Sequence, residues 1–131
     1  MSDIDRIREE IDRRLDAKDI SPKFYEEYGK YFTEKQIDKA LDIELDAEKE
    51  SGYVGYLWAL YQYVGDKFTE EHINKALELG GSSTYLYYFV GHRFTERNIN
   101  KALEVDDGNL EPLYYYVGNR FTEDNIDKAL D

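Results

Sequence analysis

An all-α fold, a short alpha-solenoid of four tandem helix-turn-helix repeats behind an N-terminal capping helix, is predicted by three observations. One phrase recurs four times, its apolar residues fall at helical spacing, and residues that start and stop helices bracket each copy. The copies occupy 29–41, 65–77, 91–103 and 118–130 and share Gly-x-x-Phe-Thr-Glu-x-x-Ile-[Asp/Asn]-Lys-Ala-Leu. Nine fixed or near-fixed positions in four copies are the signature of a repeat array, in which no unit buries enough surface alone and neighbours must stack. The glycines Gly29, Gly65, Gly91 and Gly118 lie 36, 26 and 27 residues apart. The basic unit is therefore about 26 residues, and the first interval holds about ten more, between Leu41 and Trp58. The chain divides into a capping helix over 1–20 and the repeats over 21–131, in a single domain 1–131.

Each unit reads as two helices. In the second, Thr33, Thr69, Thr95 and Thr122 stand where an N-cap belongs, and the Glu that follows meets the positive end of the helix dipole. Ile37/Ala40/Leu41 and their counterparts Ile73/Ala76/Leu77, Ile99/Ala102/Leu103 and Ile126/Ala129/Leu130 form one apolar stripe at i, i+3 and i+4. The segment before each glycine is aromatic: Phe24-Tyr25, Trp58 to Val64, Tyr85 to Val90 and Leu113 to Val117. Tyrosine and valine favour strands, so a βα repeat competes here. Ser21-Pro22, Ser82/Ser83 and Asn109 with Pro112 nevertheless mark helix starts, and the four glycines suit a C′ position with positive φ. Phe32, Phe68, Phe94 and Phe121 should fold back and staple the two helices. Asp42 to Ser51 keeps the phase of the stripe through Leu45 and should lengthen the second helix of the first unit. Ser51-Gly52 should break it ahead of a longer first helix ending at Val64. The N-terminal segment belongs to no repeat: Ser2 caps a helix whose Ile4, Ile7, Ile11 and Leu15 form one greasy side.

With those residues in view, the chain resembles short two-helix alpha-solenoid repeats in the style of HEAT and leucine-rich-repeat-variant arrays. The resemblance is greatest to the brief repeats ending in Thr-x-x-x-Ile-x-Lys-Ala-Leu found in proteins of tailed bacteriophages, and it covers residues 21–131. Those arrays usually carry His-Pro-Asn before the threonine, where this chain has Gly-x-[Tyr/Lys/Arg]-Phe. The resemblance implies an interaction surface, nothing catalytic, and a phage origin.

Composition narrows the function. Among 131 residues there are 29 acidic against 17 basic, a net charge of −12, with no cysteine, two histidines and 13 tyrosines. Disulfides, thiol chemistry and thiolate metal sites are excluded, and direct binding to nucleic acid or an anionic membrane is disfavoured. No apolar run approaches the roughly 20 residues that span a bilayer and no signal-peptide pattern is visible, so a cytoplasmic protein is expected, in host cytoplasm if phage-encoded. No catalytic residue, metal site or cofactor is expected. His72 and His92 occupy slots held elsewhere by polar residues and read as ordinary surface. Glu70/Glu71 and Asp106/Asp107 are sequence neighbours that point apart on a helix, unsuited to shared acid–base work.

Two surfaces stand out as partner-binding candidates. Glu34/Asp38/Asp42, Glu70/Asn74/Glu78, Glu96/Asn100/Glu104 and Glu123/Asp127/Asp131 fall at i, i+4 and i+8, giving each second helix a column of acids. Spaced about 6 Å along a helix and about 8–10 Å between helices, such columns approach a duplex phosphate array in scale. They suit a nucleic-acid mimic that inhibits a basic nucleic-acid-binding protein, such as a nuclease or an anti-phage defence complex of the kind that anti-CRISPR or anti-restriction proteins target. Lys39, Lys75, Lys101 and Lys128 beside the columns favour a merely solubilising face. The second candidate is the pair Tyr88 and Tyr115, expected exposed, which suits an adaptor or assembly scaffold with a Tyr-rich face. Tyr25, Tyr61, Tyr87 and Tyr114, each four residues before a glycine, read as core. The apolar stripe of the last unit leaves a homodimer open.

Overall fold

The computed structural model describes residues 2–51, 55–79, 83–105 and 110–130, without the side chains of 48–51 and 83. The described residues are all-helical, with no strand among them, so the Tyr-rich segments are helices. Among the described residues nine α-helices run in order: α1 (Asp3–Asp16), α2 (Pro22–Tyr28), α3 (Glu34–Ser51), α4 (Leu57–Val64), α5 (Glu70–Glu78), α6 (Ser83–Val90), α7 (Glu96–Val105), α8 (Glu111–Val117) and α9 (Glu123–Leu130). The odd-numbered helices pack each on the next, as do α2, α4, α6 and α8, giving two adjoining rows.

The start signals act as their chemistry requires. Ser2 and Ser21 accept the Asp5 and Phe24 backbone N–H at 3.1 and 3.2 Å, and Pro22 and Pro112 sit in first turns. The four threonine hydroxyls cap α3, α5, α7 and α9 by accepting the N–H of Gln36, His72, Asn98 and Asn125 at 3.2–3.3 Å. Ser82 and Asn109 lie outside the described residues, as does the side chain of Ser83. α3 has 18 residues against 9 in α5, so the extra stretch does lengthen it. The described part of α4 has 8 residues, no more than α6, and the expected lengthening there is not found; Gly52 lies outside the described residues.

The stapling phenylalanines close each hairpin. Phe32, Phe68 and Phe94 are buried against Tyr25, Tyr61 and Tyr87, with ring centroids 6.1, 5.9 and 5.8 Å apart. Tyr114 and Phe121 make the same pair at 5.3 Å, but Tyr114 is 44% exposed, contrary to the expectation that it belongs to the core. The difference has a simple cause: residues equivalent to Tyr114, Ile126 and Leu130 are covered in earlier copies by the next helix pair, and nothing described covers these three.

The glycines are a correction. Gly29, Gly65 and Gly118 have φ of −51°, −55° and −54°, in the right-handed region, and each of the four opens a single 3-10 turn (Gly29–Tyr31, Gly65–Lys67, Gly91–Arg93 and Gly118–Arg120). The requirement is space. A Cβ on Gly29 would stand 2.6 Å from the Tyr63 carbonyl oxygen, one on Gly65 2.8 Å from Val90 Cγ2, and one on Gly91 3.0 Å from Val117 Cγ2. Each glycine lets the following aromatic helix approach closely. Gly118 meets nothing within 4 Å.

Candidate functional site

The slot three residues after each capping threonine links one helix to the next. Gln36 Oε1, His72 Nδ1, Asn98 Oδ1 and Asn125 Oδ1 accept the N–H of their own threonine at 2.9–3.0 Å, completing a reciprocal cap. The opposite end of each side chain reaches back to the preceding odd-numbered helix. Gln36 Nε2 donates to the Arg8 carbonyl and Asp12 Oδ1, both at 2.9 Å. His72 Nε2 donates to the Glu34 carbonyl at 3.1 Å and lies 4.0 Å from Asp38. Asn98 Nδ2 donates to the Glu70 carbonyl and Asn74 Oδ1, and Asn125 Nδ2 to the Glu96 carbonyl and Asn100 Oδ1. All four slots are buried.

This corrects two readings. His72 is no surface residue: one ring nitrogen accepts and the other donates, so the Nε2–H tautomer does the work of a carboxamide. His92 is the exposed one, 2.9 Å from Asp66. Nor does α1 stand apart from the pattern. Arg8, Ile11, Asp12, Leu15 and Asp16 occupy the positions of Glu34, Ile37, Asp38, Leu41 and Asp42, and Gln36 bonds to α1 as Asn98 bonds to α5. Ile11 and Leu15 are buried in the expected stripe, Ile7 partly so, and Ile4 is 46% exposed.

The acidic columns lie outward, but most of their members are engaged between helices. Lys75 pairs with Asp38 and Asp42 at 3.3 and 2.7 Å, Lys101 with Glu78 at 3.1 Å, Lys128 with Glu104 at 3.1 Å, and Lys39 with Asp16. Burial lowers the Lys75 ammonium's proton affinity, yet the two aspartates leave it raised overall, while Lys128 holds the Glu104 carboxyl below the usual range. Glu70 accepts from the Thr95 hydroxyl at 2.6 Å and pairs with Arg97, and Glu96 accepts from the Thr122 hydroxyl at 2.9 Å. Glu34, Glu123 and Asp127 are exposed outside these pairs, and Asp131 lies outside the described residues. Asp106/Asp107 also lie outside them; Glu71 pairs with Arg97 at 2.6 Å. No family model, curated protein or solved structure matches the chain.

The other candidate surface lies on the even-numbered row. Tyr88 and Tyr115 are 60% and 80% exposed. They belong to a run of five rings across α6 and α8: Tyr85 stacks on Phe89 at 6.5 Å, Phe89 meets Tyr88 at 4.7 Å, Tyr88 meets Tyr116 at 5.3 Å, and Tyr116 meets Tyr115 at 4.8 Å. The last three pairs cross at 80–83°, the edge-to-face arrangement that aromatic quadrupoles favour. Beside them a shallow groove of about 350 Å³ is lined by Thr84, Glu111, Pro112, Tyr115 and Tyr116. Equivalent positions at the other end of the row are Glu26, Glu27 and Gln62, so the row changes from charged to aromatic along its length. The sequence marks that gradient at Tyr88 and Tyr115; Tyr85, Phe89 and Tyr116 complete the surface.

One buried acid stands apart. Glu44 of α3 is 2% exposed, and its Oε2 and the Tyr25 hydroxyl have no hydrogen-bond partner among the described residues. Burial pushes the Glu44 carboxyl up to about 7, the Tyr56 backbone N–H pulling it back only in part. Among the described residues no three His, Asp or Glu side chains converge as metal ligands would, and no helix is long and apolar enough to cross a membrane.

Proposed function

We propose that this chain is a short solenoid of four helix pairs behind a fifth, N-terminal helix of the same row, and that it works without catalysis, as a protein-binding scaffold using the aromatic face of α6 and α8. The observation that carries the reading is the five-ring run, from which Tyr85, Tyr88 and Tyr115 stand exposed. Exposed aromatics carry binding energy at protein interfaces; these three stand on the partly buried Phe89 and Tyr116, and the described part of α6 and α8 bears no lysine or arginine to interrupt them.

A second reading, an acidic surface that imitates nucleic acid and inhibits a basic nucleic-acid-binding protein, draws on the net charge of −12. Lysines inside the columns and hydroxyls bonded to Glu70 and Glu96 count against it, because a mimic needs its charges free to meet the partner. Affinity capture from nuclease-treated lysate of the native host, at low and high salt and with competitor DNA, separates the two. Tyr88→Ser with Tyr115→Ser should abolish capture, while Glu34→Lys, Glu123→Lys and Asp127→Lys together should leave it intact. Loss of capture to salt, DNA or the lysine variant, with the serine variant unaffected, would overturn the scaffold reading and favour the mimic.

A further inference from the structure

We infer that the aromatic face of α6 and α8 takes an extended, proline-rich segment carrying lysine or arginine, an inference that rests on the scaffold reading above. Pitch points to such an occupant first. Tyr88 and Tyr115 hold the same position on adjacent packed helices, so they stand about one interhelical spacing apart, roughly 8–10 Å. A polyproline II helix has three residues per turn and rises about 3.1 Å per residue, which is about 9 Å per turn. Such a segment laid across the two helices offers the same edge of its helix to each tyrosine.

The form of the face agrees. Three successive ring pairs crossing at 80–83° make alternating walls and floors in which a pyrrolidine ring can lie flat. Aromatic-lined grooves of this type are a recurring means of docking polyproline II segments. A polyproline II backbone has no internal hydrogen bonds, so its carbonyls are free to accept from the tyrosine hydroxyls. An amphipathic helix would instead need a continuous aliphatic trough, and phenol edges interrupt any such trough here.

Charge decides what else the segment carries. In the described part of α6 and α8 the charged residue is Glu111, which lines the groove beside Pro112, Tyr115 and Tyr116. A basic side chain in the segment would meet that carboxylate or a tyrosine face, and the protein's overall negative charge favours its approach. An acidic segment would find no cation on the face.

The test is isothermal titration of the full chain with a peptide of four Pro-Pro-Arg triplets, against a control of four Ala-Ala-Arg triplets of equal charge. The proline peptide should saturate at sub-millimolar concentration, the control should bind at least about tenfold more weakly, and Tyr88→Ser and Tyr115→Ser should each weaken the proline peptide about tenfold or more. Both tyrosines are exposed, so circular dichroism should show the variants folded as the parent. Equal binding of the two peptides, no saturation, or indifference to both serine variants would overturn the inference. A random-peptide selection on the same protein separates this failure from that of the scaffold reading. Enriched peptides that lack proline yet lose binding in the serine variants overturn the proline segment and leave the face standing. A selection yielding no tyrosine-dependent peptide overturns both.

Discussion

Replacing Glu44 by Gln should make the protein more stable at pH 8 and have little effect below pH 4.5. The carboxyl is held at about 7 in the folded chain against an ordinary 4.5, because burial penalises its charged form. An acid whose folded value is raised is bound to its proton more tightly in the native state than in the unfolded one. The native state is therefore favoured while the group is protonated in both states, below about pH 4.5. Stability then falls as pH rises from 4.5 to 7, by about 1.4 kcal/mol for each pH unit separating the two values, and levels off above. The loss totals about 3 kcal/mol. A carboxamide at this position would not titrate, so the difference between Glu44→Gln and the parent isolates this group from the other 28 acidic residues. Urea denaturation at half-unit steps from pH 4 to 8.5 is the assay, followed by circular dichroism and fluorescence of Trp58. The variant should gain about 3 kcal/mol on the parent across that range, with most of the gain between pH 5 and 7. A difference that stays flat from pH 4.5 to 8 would refute the reasoning and show that Glu44 reaches water or a partner in solution.

Two further perturbations probe the packing. Gly29→Ala should destabilise by about 2 kcal/mol or more, because the new methyl would meet the Tyr63 backbone, whereas Gly118→Ala should stabilise by about 0.5–1 kcal/mol, since it fills open space at a helical φ; thermal denaturation of the pair settles it, and equal effects would refute the close-approach account. His72→Ala should cost about 2 kcal/mol by leaving the Thr69 N–H and the Glu34 carbonyl without their partner, while His72→Asn, which restores a carboxamide of the kind at 98 and 125, should cost about 1 or less; urea denaturation at pH 7.5 compares them, and equal losses would show that the ring matters only as bulk.

How much of this was legible in the sequence divides by physical cause. Local signals were read correctly: Thr33, Thr69, Thr95 and Thr122 cap, and Phe32, Phe68 and Phe94 staple. Each acts within a few residues of itself. A glycine before a turn has two explanations, positive φ or crowding, and the second depends on a helix 25 to 34 residues further along the chain. A hint was available in Val64, Val90 and Val117, each directly before its glycine. His72 was misplaced for a different reason. Gln, His, Asn and Asn in one slot look like interchangeable surface residues, but all four can donate and accept at once, which a solvated position does not require. Glu44 lies seven residues after Ile37, on the apolar stripe, so its burial too was written in the spacing. Of the two candidate surfaces, the exposure of Tyr88 and Tyr115 followed from their place among Glu26 and Gln62. The pairing of the acids with lysines of the next helix depended on an interhelical offset that no sequence pattern states.

The links made by Gln36, His72, Asn98 and Asn125 all sit in the first turn of their helices. An apolar stripe by itself would let neighbouring helices slide past one another with little penalty, since one methyl group replaces another. A donor matched to one carbonyl cannot slide, so these side chains act as dowels that set the axial offset at one edge of the sheet of helices. The opposite edge is held by exposed ion pairs such as Lys101–Glu78 and Lys128–Glu104, a looser constraint, and there α3 runs to 18 residues beside an α5 of 9. Length variation in this architecture should accumulate at the C-terminal ends of the odd-numbered helices. Segments grafted there should be tolerated where the same graft before a capping threonine would throw every later helix out of step.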